Sequence, residues 1–201
     1  PSYSYFCYTL SQQIYTPDEI GAAGSILTIS YFNAGETKTR SYDIFMVHTD
    51  KNTFENNTDW ITVTEADRVF SGEVTMTRGY WNTILLDVPF DYDGTSNLAI
   101  IVDDNSGNWS SNHMYCRVFN ANGNQAIRVY SDGTNYDPYN PSGYGGTLHS
   151  VKNQMIFGVM PAYHFVTAGT WGNAANWSGG ALPGAGDAVF IDANCALNRI
   201  A

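Results

Sequence analysis

RSYDIFMVHTDK, residues 40–51, decides the fold. Its centre, 42–48, is an alternating run of aromatic and branched apolar residues that ends on His48, which predicts a strand rather than a helix. Outward from it, runs of the same kind recur at intervals of about 8 to 15 residues, at 26–32, 60–63, 68–76, 81–88, 98–103, 114–119, 126–130 and 154–159. About nine short strands at that spacing predict an all-β chain, folded as a jelly-roll-like antiparallel β-sandwich. One stretch reads otherwise. TPDEIGA, 16–22, predicts a single helical turn with Thr16 as cap, Pro17 at the first helical position and Glu19 closing a capping box.

The chain of 201 residues is 43% hydrophobic, enough for a core in one or two domains. Nine Lys and Arg against 19 Asp and Glu give a net charge of -10, which opposes the phosphate neutralisation that nucleic-acid binding requires. Nucleic acid and anionic membranes are therefore poor partners. No apolar run approaches the ~20 residues that span a bilayer, so no membrane insertion is expected. Charged residues are scarce while Tyr and Trp are abundant, a blend that suits extracellular β-proteins. Cys7, Cys116 and Cys195 have no metal-ligand spacing; one internal disulfide at most can form, with Cys7 to Cys116 open as a pairing. No basic-then-apolar leader precedes Pro1, and the chain starts without Met and stops at Ala201 inside what reads as a repeat. Both ends read as cuts in a longer polypeptide whose further domains are expected partners.

Polar, turn-forming stretches separate the strands at 33–39, 50–59, 91–97, 103–112 and 132–146. Binding usually resides on such loops. At residues 160–161 the composition shifts to small, uncharged residues. The domains are thus expected to be 1–161, the sandwich, and 162–201, an incomplete β-helix-like unit.

Residues 11–160 resemble a family of β-sandwich accessory domains from large secreted and surface proteins of Bacteroidetes. The resemblance rests on SQQIYTPDEIG (11–21), RSYDIFMVHTDK, DWITV (59–63), VFSGEVTM (69–76), PFDYDGTSNLAIIVDDNSG (89–107) and QAIRVYSD (125–132). It implies a module that accompanies glycan-processing and adhesive domains outside the cell or at its surface. GTWGNAANWSGGALPGAGDAVFI, 169–191, resembles the opening of a right-handed parallel β-helix, with Trp171 and Trp177 expected to cap its first coil.

No motif for catalysis stands out. GxSxG, HExxH, P-loop and GxGxxG patterns are missing from the sequence, and His48, His113, His149 and His164 are scattered. Asp103 and Asp104 would face opposite sides of an extended strand, so they could not flank one glycosidic bond. Asp91, Asp93, Asp103 and Asp104 lie in oxygen-rich stretches that would suit a structural calcium ion. The same residues are ordinary turn formers that bond their own backbone. Loop aromatics are the candidate glycan contacts, because flat Trp and Tyr rings match the apolar faces of sugars. Trp109, Tyr136, Tyr139 and Tyr144 sit in polar loops, whereas Trp60 and Trp81 begin strands and read as half-buried core. The expected function is non-catalytic binding of a neutral, plant-type polysaccharide such as a xylan or glucan. The alternatives are a structural or adhesive repeat of a surface fibre, and the N-terminal part of a β-helix polysaccharide-active enzyme.

Overall fold

The structure, a computed structural model, describes residues 3–160, 162–185 and 187–196. The expected domain boundary at residue 161 and the last five residues of the second unit lie outside the described residues. Eleven strands come first in chain order: β1 (Tyr8–Tyr15), β2 (Gly24–Phe32), β3 (Lys38–Thr49), β4 (Arg68–Met76), β5 (Trp81–Tyr92), β6 (Asn97–Asp104), β7 (Val118–Asn120), β8 (Ala126–Ser131), β9 (Thr147–His149), β10 (Val151–Asn153) and β11 (Met155–Met160). Six of them form one antiparallel sheet in the order β4-β3-β6-β1-β8-β9, and β11-β2-β5 forms a second. β7 pairs with β10 alone. The chain is all-β and sandwich-like, as its spacing of apolar runs predicts.

Burial explains why β6 reads as an unbroken apolar run. Leu98, Ile100 and Val102 face the first core, where they meet Ile26, Ile29 and Tyr31 of β2 and Ile84 and Leu86 of β5. Ala99 and Ile101 face a second core on the other side, with Leu10 and Ile14 of β1, Phe45 of β3 and Ile127 of β8. Both faces of the larger sheet are therefore buried. Phe54, Trp60 and Val63, from the long connection between β3 and β4, close the second core. Each such side chain contributes about 1.5–3 kcal/mol when fully buried.

Two expected strands are corrected. Residues 60–63 are irregular, because the Gln12 side chain of β1 satisfies their backbone: Gln12 Nε2 donates to the Ile61 carbonyl and the Ile61 N–H donates to Gln12 Oε1, each at 2.7 Å. Residues 114–119 shrink to β7 and a single bridge between Cys116 and Asn33. The helical turn α1 (Pro17–Ile20) is present, with the Thr16 N–H donating to Glu19 Oε2 at 2.8 Å and Gly21 ending it at φ 78°. All three cysteines carry free thiols.

Two buried cations bind the sandwich together. Lys152 spends all three ammonium donors, each at 2.7 Å, on Ile14 O, Glu19 Oε2 and Gln125 Oε1. Arg40 pairs with Asp104 at 2.7 Å, both almost fully buried. Such pairs are costly to break, because the survivor is left as an uncompensated buried charge.

Four further strands follow: β12 (Ala162–Phe165), β13 (Gly169–Thr170), β14 (Ala188–Ile191) and β15 (Cys195–Ala196). Their pairing is parallel. Ala162 pairs with Ala188 and Gly169 with Cys195, a common offset of 26 residues. Trp177 is buried edge-on against Phe165 (5.1 Å) and Trp171 (4.6 Å). Gly169 lies so close to Asn176 that a Cβ would come within 2.4 Å of its Nδ2.

Candidate functional site

Arg40 also positions the loop that carries Trp109. Its Nη1 donates to Asn108 O (2.6 Å) and Asn108 Oδ1 (3.0 Å), and its Nη2 donates to Phe6 O (3.0 Å). The Ser110 N–H adds a bond to Ser4 O at 3.1 Å. One guanidinium thus fastens the end of β6, the 105–113 loop and the N-terminal segment together. On this base the Trp109 ring is 60% exposed, 6.3 Å from Tyr5, itself 44% exposed. Behind the pair, Tyr5 meets His113 edge-on at 5.4 Å, and Tyr130 packs against Phe6 at 4.2 Å and Tyr3 at 5.3 Å. Tyr3, Tyr5, Phe6 and Tyr130 were not among the expected contacts. The available signal was the density of aromatics ahead of β1, in SYSYF.

The 132–146 loop plays a different part. Tyr136 and Tyr144 are half-buried over the second core, edge-on to each other at 4.9 Å. The Tyr136 hydroxyl donates to Tyr130 O at 3.0 Å, and the Asp137 N–H donates to the Tyr144 hydroxyl at 3.1 Å. Trp60 Nε1 donates to Tyr144 O at 2.7 Å, and Gly146 lets the loop lie on Trp60, because a Cβ there would stand 2.6 Å from the indole. Tyr139 is exposed, yet its ring abuts Phe45 at 5.6 Å and its hydroxyl donates to Glu65 Oε2 at 2.6 Å. That hydrogen bond, then burial, pushes the phenol up to about 12. The four expected aromatics therefore do not converge on one platform. Trp60 is core, whereas Trp81 is exposed beside Phe32.

The four aspartates fall into two pairs at opposite ends of β6, about 25 Å of extended chain apart. At one end, Asp93 accepts from the N–H groups of Thr95 and Ser96 and from the Ser96 hydroxyl. Burial pushes its carboxyl up, but these bonds and the nearby His48 outweigh that and hold it well below the usual range. At the other end, Asp104 is taken by Arg40, and Asp103 faces the opposite side of the strand, held by Asn105 at 3.1 Å. Burial first, then Asp43, Asp104 and Asp137, push Asp103 up to about 7 against the Asn105 bond. One cation cannot take ligands from both pairs. Among the described residues no three His, Cys, Asp or Glu side chains form a metal-holding group.

The fold also joins residues that are distant in sequence. His48, Asp91, Asp93 and His164 line a cleft of ≈ 420 Å³ where the sandwich meets the C-terminal unit. His48 Nε2 is 3.8 Å from Asp93 and His164 Nε2 is 3.9 Å from Asp91.

The fold and this site define an all-β, sandwich-like protein with an anchored aromatic end. No family model matches the chain, and neither a curated protein nor a solved structure gives a significant match.

Proposed function

We propose that the chain is a non-catalytic carbohydrate-binding or adhesive module of a secreted bacterial protein, acting outside the cell or at its surface. Its ligand is a neutral polysaccharide of the xylan or glucan type. The observation that carries this reading is the exposed Trp109–Tyr5 pair on a backbone fixed by Arg40. Rigid aromatic rings lose little entropy when a sugar face stacks on them. Tyr139 adds a further exposed ring elsewhere, while Tyr136 and Tyr144 support the loop rather than present a surface.

Replacing Trp109 with Ala should weaken binding to xylan or glucan by about 1 kcal/mol or more, with the melting temperature nearly unchanged. Tyr136→Ala should do the reverse, lowering the melting temperature more than the affinity. Unaltered retardation of Trp109→Ala in polysaccharide-loaded gels would remove the reading. A structural calcium ion at Asp91 and Asp93 is a separate proposal, supported by their oxygen-rich turn, since Asp104 is already taken by Arg40 and faces away from Asp103. Melting curves in calcium and in chelator decide it, since a ligand of the folded state alone must raise the midpoint.

A second reading has its own observation. The shared 26-residue offset of the parallel pairs supports residues 162–196 as one full coil of a parallel β-helix and the start of the next. On that reading the sandwich is the N-terminal accessory of a β-helix protein, either a surface fibre or a polysaccharide-active enzyme.

A further inference from the structure

On the first-core side of the larger sheet, a groove of ≈ 250 Å³ opens over Ser11 and Gln13 of β1 and Ala126 and Arg128 of β8. Ala126 keeps its floor low. His149 lies beside the floor, and Tyr3 and the exposed Tyr115 supply aromatic walls. None of the lining residues is Asp or Glu, in a chain that carries 19 of them.

Most of the polar groups around this groove already have partners. Lys152 spends its three donors elsewhere, and Gln13 Nε2 donates to Asn153 Oδ1 at 2.6 Å. Two groups do not. Arg128 Nε and His149 Nε2 are buried without a hydrogen-bond partner, and among the described residues Arg128 pairs with no carboxylate. The register Arg128↔Thr147 and Ala126↔His149 makes the two residues diagonal neighbours on one face. The guanidinium is held over the rings of Tyr3 (4.9 Å) and Tyr130 (5.5 Å), which fixes its plane. Burial, then the Arg128 charge, pushes the His149 imidazole below its ordinary range, in keeping with that proximity.

An orphaned buried donor such as the Arg128 Nε–H asks for an acceptor, and His149 Nε2 is a second unpartnered polar atom beside it. An anchored guanidinium without a carboxylate of its own is matched by a carboxylate ligand. We propose that this groove binds a uronic-acid residue, with Arg128 as the carboxylate's partner, His149 as a second hydrogen-bonding group and the Tyr3 and Tyr115 rings against the sugar. The Tyr3 and Tyr115 rings favour a sugar acid, whose ring can lie against them beside the carboxylate, while Met114, Val118 and Val151 complete the apolar part of the lining. The groove shares Tyr3 with the aromatic cluster behind Trp109, but Trp109 itself does not line it.

The test titrates the whole chain with glucuronate and galacturonate, against glucose and galactose, reading side-chain N–H resonances by NMR. Uronates should shift the Arg128 Nε–H and His149 signals and bind at least tenfold more tightly than the neutral sugars. Arg128→Gln, shown to be folded by its melting curve, should lose tenfold or more in uronate affinity, while Trp109→Ala should lose none. If Arg128→Gln does not fold, the wild-type resonances and Tyr115→Ala carry the test, the latter weakening uronate binding several-fold. Unshifted Arg128 and His149 resonances, equal binding of neutral and acidic sugars, or tighter binding of a tripeptide carboxylate would each overturn the proposal.

Discussion

In the sandwich, β6 has a partner strand on each side and a buried core on each face. In the C-terminal unit, β14 pairs with β12 and β15 with β13, over pairings of four and two residues, around the small nucleus of Phe165 and Trp177. The first region partners most of its buried polar groups, Lys152 and Arg40 among them. The second has one parallel neighbour per strand among the described residues, as one coil and the start of the next in a stacked structure would. Stability should therefore be concentrated in the sandwich, and the coil should depend on whatever stacks against it.

The strongest way to break this contrast is through Arg40. Replacing it with Met strands the Asp104 carboxylate in the core and releases the 105–113 loop, and should cost about 3–5 kcal/mol in denaturant unfolding. A loss below about 1 kcal/mol would show that the sandwich does not rest on its buried ion pair. The next effect concerns Asp103, whose folded carboxyl titrates near 7 rather than near the ordinary 3.8. The folded state then holds a proton that the unfolded state releases, so the contribution is complete below about pH 4 and is lost as pH rises through 7. Asp103→Asn should gain on the wild type by an amount on the order of 3 kcal/mol between pH 4 and pH 8. Parallel stability curves for the two proteins would rule this out. The smallest effect is expected from truncation after residue 161. Among the described residues one ion pair, His164 with Asp91, links the two units; it is partly exposed and 3.9 Å apart, so the sandwich should lose less than about 1 kcal/mol. A truncated chain that fails to melt cooperatively would make the coil an integral part of the sandwich.

Much of the sandwich can be read from the alternation of β2, β3, β4 and β5, whose runs appear almost where the strands lie. β1 escapes that reading. Its centre is Ser11-Gln12-Gln13, polar residues that depress strand propensity, yet Gln12 and Gln13 find partners in Ile61 and Asn153. The same feature hides the second core. A sandwich is expected to show a solvated outer face, but here Phe54 and Trp60, placed in or beside a polar loop, close that face instead. Tyr136 and Tyr144 look like exposed loop aromatics for the same reason, since nothing local in 132–146 signals the apolar surface beneath. Trp109 was legible because no apolar neighbour in 105–112 competes for it. Its partner Tyr5 and the carboxylate-free groove were not, because both depend on register between strands far apart in sequence.

The double burial of β6 has a consequence for motion. An amide in an edge strand can exchange its hydrogen when the strand frays, but β6 is bonded on both sides, to β1 and to β3. Neither face can admit water unless one of the two cores opens. The ladder amides of Ala99 to Val102 should therefore exchange only through opening of the whole sandwich. Their exchange rate then acts as a built-in gauge of the free energy of global unfolding, readable under native conditions.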